Sequence, residues 1–82
     1  MNEPEVYGFL TDVFREVFMR DDIVLRPELT ASDVAGWDSF RQIEIILATQ
    51  ERLGIKLSTK ELDRLERVGD LVELIVAKTS AA

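Results

Sequence analysis

The sequence predicts an all-α protein: a small four-helix bundle with a long first loop and a short third helix. Three observations carry this. Apolar residues recur at three- and four-residue spacing over 4–19 and again after residue 39. Cap-type residues stand where further helices should begin, at Ser58 and at Val68-Gly69-Asp70. No strand pattern competes, because Ile55-Lys56-Leu57 is too short to start a sheet. The 82 residues suffice for one domain, taken here as 1–82 with helices near 4–19, 39–53, 59–66 and 69–78.

In the first segment, Val6, Phe9, Leu10, Val13, Phe14, Val17 and Phe18 form the apolar stripe, and Asp12, Arg15 and Glu16 lie between them. Pro4 suits a first helical turn, where its missing donor is not needed. Gly8 weakens this helix by up to about 1 kcal/mol against alanine, so packing must hold it. Residues 20–37 are a long connection. Asp21-Asp22 and Arg26-Pro27 interrupt the helical pattern, and the residue before proline disfavours helix. Ile23, Leu25, Leu29 and Val34 are expected to pin this loop to the core. Thr30-Ala31-Ser32-Asp33 has capping-box spacing for one short turn, with Thr30 as its cap. Trp37 is expected to pack over the loop as a structural lid.

The second helix runs from Ser39 to Leu53, with Phe40, Ile43, Ile46, Leu47 and Leu53 expected on its buried face and Gly54 as its stop. Ser58 and Glu61 have capping-box spacing for the third, whose Leu62 and Leu65 should face inward. Leu71, Val72, Leu74, Ile75 and Val76 make the last helix apolar almost all round. The tail, Thr79-Ser80-Ala81-Ala82, is expected to fray.

Composition limits the chemistry. A domain this small buries roughly 60% of the surface its unfolded chain exposes, so its core is thin and no deep active site is expected. There is no cysteine and no histidine, which removes disulfides, thiolates and the commonest general base and neutral metal ligand. Asp21, Asp22 and Asp33 do not match calcium-loop spacing, and no metal site is assigned. The net charge of −6 disfavours nucleic acid. Residues 1–22 sum to −4 and residues 23–38 to −2, while 39–53 and 54–82 each balance, so the whole negative excess precedes Ser39. A basic partner would feel the first helix and the loop, although an acidic surface that only aids solubility has the same signature. No apolar run reaches the length of a membrane span, and the acidic start Met1-Asn2-Glu3-Pro4-Glu5 is unlike a signal peptide. A cytoplasmic protein is expected.

The chain is organised around Gly36-Trp37-Asp38-Ser39-Phe40, which sets one serine at a helix start. Asp38 or Ser39 can cap that helix. A helix start also favours a phosphate, through its unpaired N–H groups and its dipole. An enzyme here would have to use carboxylates, Ser39, Lys or Tyr7, and a serine nucleophile needs an activating base that the sequence does not supply. No catalytic residue is assigned, and the chain is not expected to be an enzyme. Ser39 makes more sense as an acceptor hydroxyl that another enzyme modifies.

The stretch Asp33-Val34-Ala35-Gly36-Trp37-Asp38-Ser39-Phe40, followed by Ile43-Glu44-Ile45, Leu53-Gly54-Ile55-Lys56-Leu57 and Val68-Gly69-Asp70-Leu71, resembles the acyl carrier protein and peptidyl carrier domain family. The likeness spans about residues 5–77. The family pattern is Asp-Ser-Leu at the start of the second helix, then an aliphatic-Glu-aliphatic triplet. The resemblance implies that 4′-phosphopantetheine is joined to Ser39 by a phosphopantetheinyl transferase, with Asp38 at the helix start as part of what that enzyme recognises. It implies that the arm's thiol holds acyl or aminoacyl groups as thioesters. It implies partners too: an acyl- or aminoacyl-activating ligase, and an acyltransferase or synthase, meeting Phe40, Arg41 and Glu44. A monomer is expected. Phe40, Ile43, Leu47, Leu62 and Ile75 are candidate linings for a cavity that shelters the acyl chain, or ordinary core. Phe40 stands where the family has leucine, and Arg41 where fatty-acid carriers often have an acid. With Arg52 it leaves the second helix neutral, which suggests a stand-alone carrier of a specialised pathway. The alternative is a helical interaction module of the same fold without a prosthetic group.

Overall fold

A computed structural model, describing residues 1–80, shows four helices: α1 (Glu3–Phe18), α2 (Ser39–Leu53), α3 (Thr59–Asp63) and α4 (Val68–Ser80). A single 3-10 turn, Ala31–Asp33, lies in the long connection. The described residues contain no strand, only an isolated antiparallel bridge between Thr30 and Arg67.

α1 begins at a cap that lies ahead of Pro4. The Asn2 side chain accepts from the Glu5 N–H at 3.0 Å, and the Glu5 carboxylate accepts from the Asn2 N–H at 2.9 Å. This reciprocal box satisfies two otherwise unpaired donors. Val6, Leu10, Val13 and Phe14 are fully buried and form the spine of the core. The helix ends at Met19, which takes a left-handed conformation with φ 54°.

The long connection is ordered by two kinds of tie. Ile23, Leu29 and Val34 are buried, while Leu25 is only half-buried. The start of α4 also hydrogen-bonds the loop backbone: Val68 N–H donates to the Leu29 carbonyl at 2.8 Å and Gly69 N–H to that of Pro27 at 2.9 Å. Residue 69 must be small, because a Cβ there would stand 2.9 Å from the Pro27 oxygen. In the 3-10 turn, the Asp33 carboxylate accepts from the Thr30 N–H at 3.0 Å and from the Thr30 hydroxyl at 3.1 Å. The Thr30 hydroxyl thus donates to Asp33, and these two bonds hold the Asp33 carboxyl below its ordinary pKa.

The expected buried face of α2 is corrected. Ile45, Ile46 and Thr49 are buried, but Phe40, Ile43 and Leu47 are 77%, 55% and 56% exposed. α2 carries two apolar stripes at helical spacing; α1 packs against this helix, and Ile45 and Thr49 are fully buried. Thr49 tolerates burial because its hydroxyl donates to the Ile45 carbonyl at 2.8 Å. A salt bridge from Arg52 to Glu16 links the two helices at the surface.

α3 stops at Asp63, short of the expected residue 66. Its start is the expected box: Glu61 N–H donates to Ser58 Oγ at 3.2 Å and Ser58 N–H to Glu61 Oε1 at 3.0 Å. Its end tightens into i→i+3 bonds, Arg64 to Glu61 and Leu65 to Leu62. The Asp70 carboxylate then takes the next amides, accepting from Glu66 at 3.1 Å and Arg67 at 3.0 Å. Those residues therefore become the entry to α4. Leu62 and Leu65 are half-buried, whereas Val68, Leu71, Val72 and Ile75 belong to the core. Thr79 and Ser80, expected to fray, continue α4. Thr79 is held by the Met1 ammonium at 3.1 Å and by its own bond to the Ile75 carbonyl at 2.8 Å. Ala81 and Ala82 lie outside the described residues.

Candidate functional site: the Ser39 helix start and its groove

Ser39 is the first residue of α2, and it is exposed. Asp38, in extended conformation, is the cap, and its carboxylate accepts from the Arg41 N–H at 3.0 Å. The first helical bond runs from Gln42 N–H to the Asp38 carbonyl at 3.0 Å. The N–H groups of Ser39 and Phe40 therefore precede the intrahelical ladder. That is the local setting in which a phosphate ester is favoured.

The loop delivers Ser39 through a short tight path. Gly36 has φ 86°, a left-handed conformation that side chains rarely adopt. Trp37 N–H donates to the Val34 carbonyl at 3.2 Å. The Trp37 ring meets Phe14 edge-on, with centroids 5.1 Å apart, and Phe18 at 6.3 Å. Trp37 is thus a structural lid, as expected, tied to the aromatic end of α1. Its indole N–H donates to Gln42 Oε1 at 2.8 Å, a contact that nothing in the sequence pattern announces.

The neighbouring side chains compensate one another. Arg41 donates to the Glu44 carboxylate at 3.1 Å across one helical turn. Both are about half exposed, so the bond stabilises little by itself. Its effect is to cancel charge on the surface that follows Ser39.

Beside α2 lies an open groove of about 400 Å³, between α2, Leu57 and the end of α3. Ile43, Ile46, Leu47, Leu57 and Leu62 supply its apolar lining, with Gln42 at its edge. Three of the five candidate lining residues, Ile43, Leu47 and Leu62, meet there. Ile75 is fully buried in the core instead, and Phe40 stands exposed outside the groove. Ile46 and Leu57 complete the lining in their place. An exposed hydroxyl at a helix start and an open apolar groove on the same helix fit a phosphate-linked arm with an apolar cargo.

Comparison with known families and structures agrees. The family model described as "Phosphopantetheine attachment site" matches residues 8–75. The chain belongs to that family. It is an acyl carrier, which holds acyl groups as thioesters on covalently attached phosphopantetheine. An acyl carrier protein of Acidothermus cellulolyticus is 27% identical to it, over 100% of this chain and 98% of that protein. A meromycolate extension acyl carrier protein of Mycolicibacterium smegmatis is 29% identical, over 89% of this chain and 74% of that one. The solution structure of a holo acyl carrier protein from Geobacter metallireducens superposes with a TM-score of 0.87 at 37% identity. It covers 92% of this carrier and 86% of that chain. Such proteins carry intermediates between biosynthetic enzymes and are loaded by a phosphopantetheinyl transferase. No described helix of this carrier is long and apolar enough to cross a membrane.

Proposed function

We propose that Ser39 is the attachment point, and that residues 1–82 work as one carrier domain, not as an enzyme. The single observation behind this reading is that Ser39 is the exposed first residue of α2, directly after the cap Asp38. In the loading step, the Ser39 oxygen bonds the phosphorus of the pantetheine phosphate of coenzyme A. The bond to the adenosine bisphosphate breaks, and the hydroxyl proton passes to the transferase. Asp38 holds the first turn in register and forms part of what the transferase reads. The bound arm supplies a thiol for thioester formation. The chain's own contribution is a fixed hydroxyl, two free amides beside the phosphate and an apolar groove next to the arm's base.

Phe40, Arg41 and Glu44 form the surface that partners meet, and these partners are an acyl- or aminoacyl-activating ligase and an acyltransferase or synthase. The charge compensation of Arg41 and Arg52 on α2 supports a carrier of a specialised pathway. We take it to work as a cytoplasmic monomer. Intact mass after incubation with coenzyme A, Mg²⁺ and a broad-specificity transferase tests the site. The parent should gain one phosphopantetheine and Ser39→Ala none. An equal gain in both would move the site elsewhere, and no gain on folded parent would count against Ser39 as an acceptor for that enzyme.

A further inference from the structure

The chain's only tryptophan stands two residues before Ser39, and its sole side-chain hydrogen-bond partner among the described residues, Gln42, stands three residues after it. The 2.8 Å bond between Trp37 Nε1 and Gln42 Oε1 closes a ring around the segment that presents the hydroxyl. An indole N–H can only donate, which fixes the Gln42 amide with its oxygen toward the ring. One face of this pair is already anchored, because Trp37 packs edge-on against Phe14 and Phe18 of α1. Its surroundings mix apolar side chains with the charged Glu66 and Arg67. Trp37 and Gln42 border a small hollow of about 60 Å³ with Leu65, Val68 and Leu71. Gln42 also edges the groove containing Ile43 and Leu62. The pair is half-buried, so losing the acceptor removes the one side-chain bond that fixes how the Trp37 indole sits against α2. The other ties on this segment are weaker guides: a 3.2 Å backbone bond at Trp37 and an exposed cap at Asp38.

We propose that Gln42 is a positioning residue for the modification of Ser39, acting through Trp37. The inference rests on Ser39 being the attachment point. Without the clasp, residues 37–38 have more than one arrangement relative to α1 and α2. The transferase then finds its acceptor segment in the correct arrangement only part of the time. A reduced competent fraction raises the apparent binding constant in inverse proportion and leaves the step after binding unchanged. The signature is therefore a KM effect on the carrier as substrate, with kcat retained.

The test follows initial rates of mass gain on the apo protein, with coenzyme A, Mg²⁺ and transferase, at varied carrier concentration. Gln42→Leu removes the acceptor and keeps the bulk, Gln42→Glu keeps an acceptor oxygen, and Trp37→Phe removes the donor and keeps an aromatic ring. Gln42→Leu and Trp37→Phe should each raise KM about fivefold to tenfold, with kcat close to the parent's. Gln42→Glu should restore a near-parent KM. The double variant should be no worse than either single one, as expected for one shared interaction. The indole N–H proton resonance and the Trp37 emission should shift in Gln42→Leu and return in Gln42→Glu. Parent-like KM in both Gln42→Leu and Trp37→Phe, with the indole resonance shifted, would overturn the positioning role, as would additive effects. If Gln42→Leu does not fold, Trp37→Phe decides by the same KM reading. A mass gain on Ser39→Ala would overturn the attachment reading itself. An inert Ser39→Ala beside a parent-like Gln42→Leu would overturn only the clasp.

Discussion

Two apolar stripes run along α2, and they meet opposite surroundings. Ile45, Ile46 and Thr49 are buried, Ile45 and Thr49 completely. Phe40, Ile43 and Leu47 stand more than half exposed on the other side. Full burial of such a side chain stabilises a fold by roughly 1.5–3 kcal/mol. A chain this small forgoes that gain at three positions on one helix, all within eight residues of the proposed attachment serine. Ile45 and Thr49 are sealed inside the bundle, Ile43 and Leu47 line the groove together with the buried Ile46, and Phe40 stands on the proposed partner surface. Hydropathy at helical spacing therefore marks residues that could be buried, and the neighbouring helix decides which are.

That contrast can be tested directly on stability. Ile45→Ala should lower unfolding free energy by about 2–5 kcal/mol, since it empties a fully buried site. Leu47→Ala, on the exposed stripe, should stay within about 0.5 kcal/mol. Urea unfolding of both would show it, and equal losses would mean that both stripes are structural. Gly69→Ala should come next, at about 1–3 kcal/mol, because the added methyl meets the Pro27 oxygen and loosens the loop from α4. Asp38→Ala removes the α2 cap and should lower stability by about 1 kcal/mol in the same assay.

The smallest effect concerns acid. The Ser58 N–H, then Lys78 at 3.0 Å, lower the Glu61 pKa from 4.5 to about 2. A carboxyl depressed in the folded state binds fewer protons there than in the unfolded chain. Its contribution is therefore complete above the ordinary carboxylate pKa and is lost as pH falls through about 4.5 toward 2. Stability measured from pH 6 down to 2 should fall less steeply in Glu61→Gln than in the parent. Identical slopes would show that the charge on Glu61, held by the Ser58 N–H and by Lys78, does not contribute.

Much of this was readable locally. The Ser58–Glu61 box, the stop at Gly54 and the start of α2 after Asp38 all follow from short-range rules. The interactions concerned are between residues a few positions apart. The early end of α3 was not readable, because it depends on Asp70 taking the amides of Glu66 and Arg67. The Asn2–Glu5 box is also local, and it sets the start of α1 one residue before Pro4, which itself fits any position in the first turn. The groove was half readable: Ile43, Leu47 and Leu62 line it, but Ile46 and Leu57 depended on how α2 rolls against α1.

By itself the sequence determined four helices, their main caps and the serine at the start of the second, since these rest on period and on bonds within one turn. Only the tertiary structure decided which stripe of α2 is buried and why Gly69 must be small. Each of those depends on distances between segments far apart in the chain or on the roll of one helix against another, and no local pattern encodes either.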